Sequence, residues 1–336
     1  MNTLIIFTLL ITLMLTGMPI SISLGLTVLS FLFFMTDVPV EAVALKLFTG
    51  IEKFEIMAIP FFILAGNFLT HGGVARRMIK FATAMVGHWY GGLGLGGVLA
   101  CALFAAVSGS SPATVVAIGS ILMPAMVKAG FPKRFGAGVI TTSGALGILI
   151  PPSIVMVMYS VSTNTSVGAL FMAGVIPGIV MAAMLGFTTW YRARSNNYPR
   201  QAKASWAERW KAFRESAWGL FLIIIVMGGI YSGIFTPTEA AVVAVVYAVI
   251  LGFFYREMTW RALWQILRET SVTVGVIMFI TGITGGYDWW LSLEKIPQLF
   301  TTYIYSVTQD RIVILLLINL IILIEGCFLD ATPIVL

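Results

Sequence analysis

Apolar residues fall into long runs, at about 3–16, 19–35, 56–69, 91–107, 135–150, 154–162, 168–190, 217–235, 237–255, 270–284 and 311–329, separated by short polar connectors. A run of roughly 20 such residues predicts a helix that crosses a bilayer, and helices apolar on every side are buried in protein or lipid. Several runs are shorter, which predicts broken or re-entrant elements among the true spans. The first run stops at Gly17-Met18-Pro19 and restarts at once. No small-residue cleavage site followed by hydrophilic sequence is seen, so this run reads as a mature helix, with a removed signal peptide as the alternative.

Two interruptions carry the functional signal. The first is Ala105-Ala106-Val107-Ser108-Gly109-Ser110-Ser111-Pro112-Ala113-Thr114. Hydrocarbon cannot hydrogen-bond a freed backbone, so a polar break at membrane depth persists only inside protein or along a cavity. Residues 105–130 are therefore expected to form a re-entrant hairpin with its tip near Ser110 to Pro112. The second interruption runs from Thr141-Thr142-Ser143-Gly144 through Gly147 to Ile150-Pro151-Pro152-Ser153, where two prolines remove backbone donors and restrict the residue before them. Hydroxyls and freed carbonyls in both segments suit a hard cation such as sodium, with helix ends aiming their dipoles at ion and substrate. Close helix packing through small residues is the competing structural reading.

The connectors add detail. Residues 37–55 mix charges of both signs with Val43, Leu45, Leu47, Phe48 and Ile51, and predict an amphipathic surface helix. A charged connector holds His71, Arg76, Arg77, Lys80 and His88, and the glycines of 91–97 then open a helix that can pack closely. Those glycines also fit a dinucleotide fingerprint, but no strand precedes them. Thr236-Pro237-Thr238-Glu239 has the spacing of a capping box with proline at the first helical position. Asp330, beside Thr332 and Pro333, is an intramembrane carboxylate and so a functional candidate by default. Asp288, next to Trp289 and Trp290, reads as an interfacial residue, and Glu325 is left unassigned.

Composition fixes the class. Of 336 residues 59% are hydrophobic and 10% charged, well below the roughly one quarter charged in soluble domains. The chain reads as an all-α polytopic membrane protein. Its net charge of +6 does not indicate nucleic acid, because seven of the 20 basic residues lie in the single long hydrophilic loop: Arg192, Arg194, Arg200, Lys203, Arg209, Lys211 and Arg214. The positive-inside rule makes that loop cytoplasmic, and Trp206, Trp210 and Phe213 among the charges predict an amphipathic helix at the interface. Cys101 and Cys327 sit in apolar runs without zinc or disulfide spacing and are expected as small core residues. With no GxxxxGK[ST] loop, the chain does not itself hydrolyse ATP. An intramembrane serine hydrolase acting through Ser110 or Ser111 is the alternative from another class, but His71 and His88, the two histidines, lie in the charged connector.

The two halves echo one another: an apolar helix, a small or acidic polar break, a proline and an apolar continuation occur at 105–114 and again at 311–333. Inverted repeats with broken helices mark secondary transporters. With 59–66, 108–111, 144–152, 229–240 and 326–333 taken together, the sequence resembles the large membrane subunit of the tripartite ATP-independent periplasmic (TRAP) transporters, the DctM-like group. The resemblance covers essentially the whole chain. It implies an inverted-repeat, elevator-type transporter with re-entrant helical hairpins in the bacterial inner membrane, a permease and not an enzyme, with no cofactor beyond sodium as coupling ion. It implies sodium-coupled uptake of an organic acid, a carboxylate, delivered by a periplasmic binding protein and completed by a small membrane subunit. A sodium:dicarboxylate symporter acting without a binding protein is the alternative within transport.

By the same resemblance, Ser108, Gly109, Ser110, Ser111 and Thr114 form the first hairpin, and Gly144, Gly147, Ile150, Pro151 and Pro152 form the facing unwound helix; together they correspond to a sodium site. Asp330 and Thr332 fall at the tip of a second hairpin. The expected organisation is one membrane-embedded subunit, with a first repeat over about 1–190, a cytoplasmic basic loop at 191–216, and a second repeat over about 217–336 that is truncated before a further double proline.

Overall fold

The computed structural model describes residues 2–35, 39, 41–327 and 334, and every regular element among them is helical. By packing, the chain divides into two compact units, 1–53 with 273–336, and 54–272.

The first unit opens with α1 (Asn2–Leu15) and α2 (Ile20–Met35), which meet at the Gly17-Met18-Pro19 turn that the apolar pattern predicts. α3 (Glu41–Thr49) is shorter than the helix expected over 37–55. It ends where Gly50, a poor helix former, follows, and the chain resumes only as a short 3₁₀ turn at Phe54–Met57, which begins the second unit.

The second unit continues through α4 (Ala58–His71) and α5 (Val74–Val86). α5 occupies most of the charged connector: Val74, Ala75, Met78, Ile79 and Ala82 are buried at helical spacing, while Arg76 and Lys80 point outward. Then come α6 (Gly92–Ser108), α7 (Ser111–Lys128), α8 (Lys133–Gly144), α9 (Leu146–Leu149), α10 (Ile154–Thr163), α11 (Val167–Ser195), α12 (Trp206–Tyr231) and α13 (Pro237–Phe254). Close packing of α6 on α5 follows from Gly96, where a Cβ would lie 2.7 Å from Thr83 Cγ2. Phe62, Phe68, Phe104 and Phe171 are fully buried in this unit. The outer face of α11 is apolar, with Met172, Ile176, Ile179, Met184 and Phe187 all exposed, as a lipid-facing helix requires.

α6 and α7 form a hairpin, and its two outer ends meet the same stretch of chain beyond α11. On the α6 side, Gly87 O accepts from Gln201 N at 3.0 Å and Arg200 stacks 3.9 Å from the Tyr90 ring. On the α7 side, the Phe131 and Phe135 rings lie 5.7 and 4.7 Å from Tyr198. The hairpin thus enters and leaves on one side. It starts at Gly92, so it is longer than the 105–130 segment expected from sequence, but its break falls at the expected tip.

One further expectation is corrected and another is met. Trp206, Trp210 and Phe213 do not form a separate interfacial helix; they occupy the first turns of α12, which runs unbroken from a capping box at Ser205 and Glu208 into an apolar span. No proline interrupts 206–231, so nothing ends the helix between its charged and apolar parts. Thr236 and Glu239 do form the predicted capping box: Thr236 Oγ1 accepts from Glu239 N at 3.3 Å, and the Glu239 carboxylate accepts from Thr236 N at 2.8 Å.

α14 (Trp260–Leu293) begins in the second unit and ends in the first, followed there by α15 (Ile296–Val307) and α16 (Arg311–Glu325). α14 continues well past the apolar run 270–284, and Trp290, expected at an interface, is fully buried against Ile6, Val28, Phe31 and Leu32, with its ring 5.4 Å from that of Phe31. Asp288 and Glu325 line a cavity of about 270 Å³ in this unit with Phe7, Leu24 and Leu291. Cys101 is buried as expected, whereas Cys327 is exposed just beyond the end of α16. Among the described residues, six helices are long and apolar enough to cross a membrane, or seven if the bent α8–α10 segment counts as one.

Candidate functional site at the hairpin tip

The tip is shaped by its own sequence. α6 closes at Gly109, whose φ of 62° is left-handed and whose N–H donates to Ala105 O at 3.0 Å. Ser110 is extended and caps α7, its Oγ accepting from Ala113 N, while Pro112 occupies the first turn, where a missing N–H costs nothing. The second break is built the same way. α9 ends at extended Ile150, which the following proline keeps out of the helical region, and the Pro151–Pro152 bond is cis. Ser153 then caps α10 and also donates back across the break to Ile148 O at 2.5 Å. The segments on either side of this break are bent by 40°.

The two breaks meet main chain to main chain. Ile154 N donates to Gly109 O at 3.0 Å. A Cβ on Gly147 would sit 2.8 Å from Ser110 C and O, and one on Gly109 would sit 2.7 Å from Pro152 O. On the other side, α4 brings Gly66 so near that a Cβ there would lie 3.2 Å from Ser108 Cβ. Packing and site formation are therefore not alternatives here, because the small residues that permit the contact also bring the two broken segments together.

The two segments also bury hydroxyl residues. Ser108, Thr114, Ser143 and Ser153 are buried. Thr114 Oγ1 donates to Ser110 O at 2.8 Å, so its single proton is used there; in the 2.9 Å contact with Ser108 Oγ, Ser108 is then the donor. That leaves the lone pairs of the Ser108 oxygen free to accept. Ser143 Oγ is buried with no hydrogen-bond partner, which in a native site calls for a water or an ion.

No ionisable side chain lies in 108–114 or 144–153, so the fixed charge that these two segments themselves bring is that of helix ends. The carbonyl end of α6 favours a cation, and the capped starts of α7 and α10 favour an anion such as a carboxylate.

Of the residues singled out by sequence, Ser108, Gly109, Ser110, Ser111, Thr114, Gly144, Gly147, Ile150, Pro151 and Pro152 are brought into one neighbourhood. Asp330 and Thr332 lie outside the described residues. Ser143, Ser153 and Gly66 belong to the neighbourhood but were not singled out. Ser153 carried a signal, a hydroxyl residue just before an apolar helix, whereas the closeness of Gly66 to Ser108 has no local mark in sequence. Among the described residues no group of three or more His, Cys, Asp or Glu could hold a metal ion.

A multi-pass helical protein whose broken helices meet tip to tip belongs, by architecture, with the secondary transporters. Residues 7–336 match the family described as the tripartite ATP-independent periplasmic transporter, DctM component. The C4-dicarboxylate TRAP transporter large permease protein DctM of Rhodobacter capsulatus is 61% identical over 351 residues, covering 100% of this chain and 80% of that protein. The sialic acid TRAP transporter large permease protein SiaM of Vibrio cholerae is 35% identical over 326 residues, covering 96% and 76%. The isethionate TRAP transporter permease protein DctMQ of Oleidesulfovibrio alaskensis is 40% identical over 328 residues, covering 94% of this chain and 50% of that one. The chain belongs to the DctM family and is a large permease component of a TRAP transporter.

Proposed function

We propose that this permease carries a C4-dicarboxylate into the bacterial cell across the inner membrane, driven by sodium. The carrying observation is the meeting of the hairpin tip with the 144–153 break, which joins the carbonyl end of α6, the capped starts of α7 and α10 and the buried hydroxyl of Ser108, with Ser143 buried in the same broken segment. Neutral oxygens suit a monovalent hard cation, and two helix starts suit a carboxylate. The dicarboxylate is supported by the Rhodobacter capsulatus relative, a C4-dicarboxylate TRAP transporter large permease.

In this reading the substrate arrives on a periplasmic binding protein, and a small membrane subunit completes the complex. The isethionate relative, half of whose length lies outside the match, is consistent with a second membrane component. Repeats over about 1–190 and 217–336 flank a cytoplasmic loop at 191–216. Movement is of elevator type, with the hairpin tip travelling together with the broken helix it contacts.

The test is uptake of radiolabelled succinate into proteoliposomes holding the complete transporter. An inward sodium gradient together with the binding protein should drive accumulation; a potassium gradient, or omission of the binding protein, should not. Equal uptake in potassium would remove sodium coupling, and uptake without the binding protein would favour the stand-alone symporter.

A further inference from the structure

Away from the hairpin tip, the second unit holds a cavity of about 510 Å³ lined by Arg76, Arg77, Lys80, Arg214, Glu215, Trp218, Phe254, Tyr255 and Glu257. Four cations face two carboxylates, so the pocket keeps a positive excess. One wall is rigid: Arg77 donates to Glu257 and to Gly73 O, each at 3.0 Å, and its guanidinium lies 3.7 Å from the Tyr255 ring. Tyr255 Oη in turn donates to Glu215 O at 3.1 Å.

The remaining cations are held loosely. Arg76 reaches Glu257 only at 3.7 Å and Lys80 reaches Glu215 at 4.0 Å, with both basic side chains about 60% exposed. Arg214 is exposed on the first turns of α12. Beside them stand Trp218, where the apolar part of α12 begins, and Phe254, the last residue of α13; both are exposed and their rings are 6.1 Å apart. Exposed aromatics at the ends of spans mark the headgroup level of a bilayer, and basic pockets between helices at that level bind anionic headgroups.

We propose that this pocket binds the phosphate of an anionic glycerophospholipid, with Arg76, Lys80 and Arg214 as donors and the acyl chains running over Trp218 and Phe254. A lipid fits better than free phosphate because the aromatic wall opens onto the apolar flanks of α12 and α13, where Phe221, Ile224, Val246 and Ile250 are exposed. Arg77 is a positioning residue, already spent on Glu257 and Tyr255.

The test is native mass spectrometry of the full chain purified in mild detergent and titrated with phosphatidylglycerol, with phosphatidylcholine as the neutral comparison. The parent protein should hold phosphatidylglycerol selectively. The R76Q/K80Q/R214Q variant should lose at least about tenfold in apparent affinity. A control that removes three loop charges, R192Q/R194Q/K203Q, should keep it. If the triple variant does not fold, R214Q alone should still weaken binding. Equal loss in the loop control, undiminished binding in the pocket variants, or displacement of the lipid by millimolar inorganic phosphate would each overturn the proposal.

Discussion

Gly138 in α8 and Gly147 in α9 lie in the same bent segment and make opposite predictions. A Cβ on Gly147 would strike the main chain of Ser110 at 2.8 Å, whereas one on Gly138 meets nothing within 4 Å. Main chain cannot swing aside as a flexible side chain can, so Gly147→Ala should cost about 1–3 kcal/mol of local overpacking. Gly138→Ala should be neutral or stabilise by up to about 1 kcal/mol, through the reduced freedom of the unfolded chain. Measured as initial uptake per amount of membrane-inserted protein, Gly147→Ala should fall at least tenfold below Gly138→Ala; equal rates would mean that the contact with Ser110 is not needed for transport. Ser108→Ala makes a second residue-level case. It removes the donor to Thr114 and the free oxygen above it, and should raise the sodium concentration needed for half-maximal uptake.

At the scale of elements, Thr236 offers a contrast with those residues. It lies among glycines and an acid that resemble a site, yet its hydroxyl and the Glu239 carboxylate serve only the start of α13. Thr236→Ala should lower thermal stability by about 1 kcal/mol and leave uptake per folded molecule unchanged. A change in sodium dependence would contradict that assignment. This capping box was legible because its spacing is local. So were the two breaks, since glycine, serine and proline inside an apolar run leave few alternatives. Two other features were not. That Trp206–Phe213 continues into α12 depends on the absence of a helix breaker, which aromatic and basic residues alone do not reveal. The burial of Trp290 depends on Phe31, some 260 residues away, and no local pattern announces such a partner.

For the whole molecule, the distribution of charge bears on the proposed orientation. Arg76, Lys80 and Arg214 line one cavity, and the basic loop touches both outer ends of the hairpin, so these charges lie on one side. The orientation proposed above, drawn from the positive-inside rule, puts that side in the cytoplasm, and it can be tested. A cysteine at Ala202, exposed and clear of the Ser205 cap, should resist a membrane-impermeant maleimide in intact cells and react after lysis; labelling before lysis would invert the topology. The hairpin that returns to its own side also has a consequence for synthesis. Its polar tip at Ser110 leaves the ribosome about forty residues before Ser153, the far edge of the segment that receives it. At about 5–20 residues per second, the newborn tip waits for several seconds without its partner. Hydrocarbon would leave its backbone groups unmatched during that wait. Biogenesis must therefore shelter the half-made hairpin in water or within the insertion machinery until the broken helix emerges to claim it.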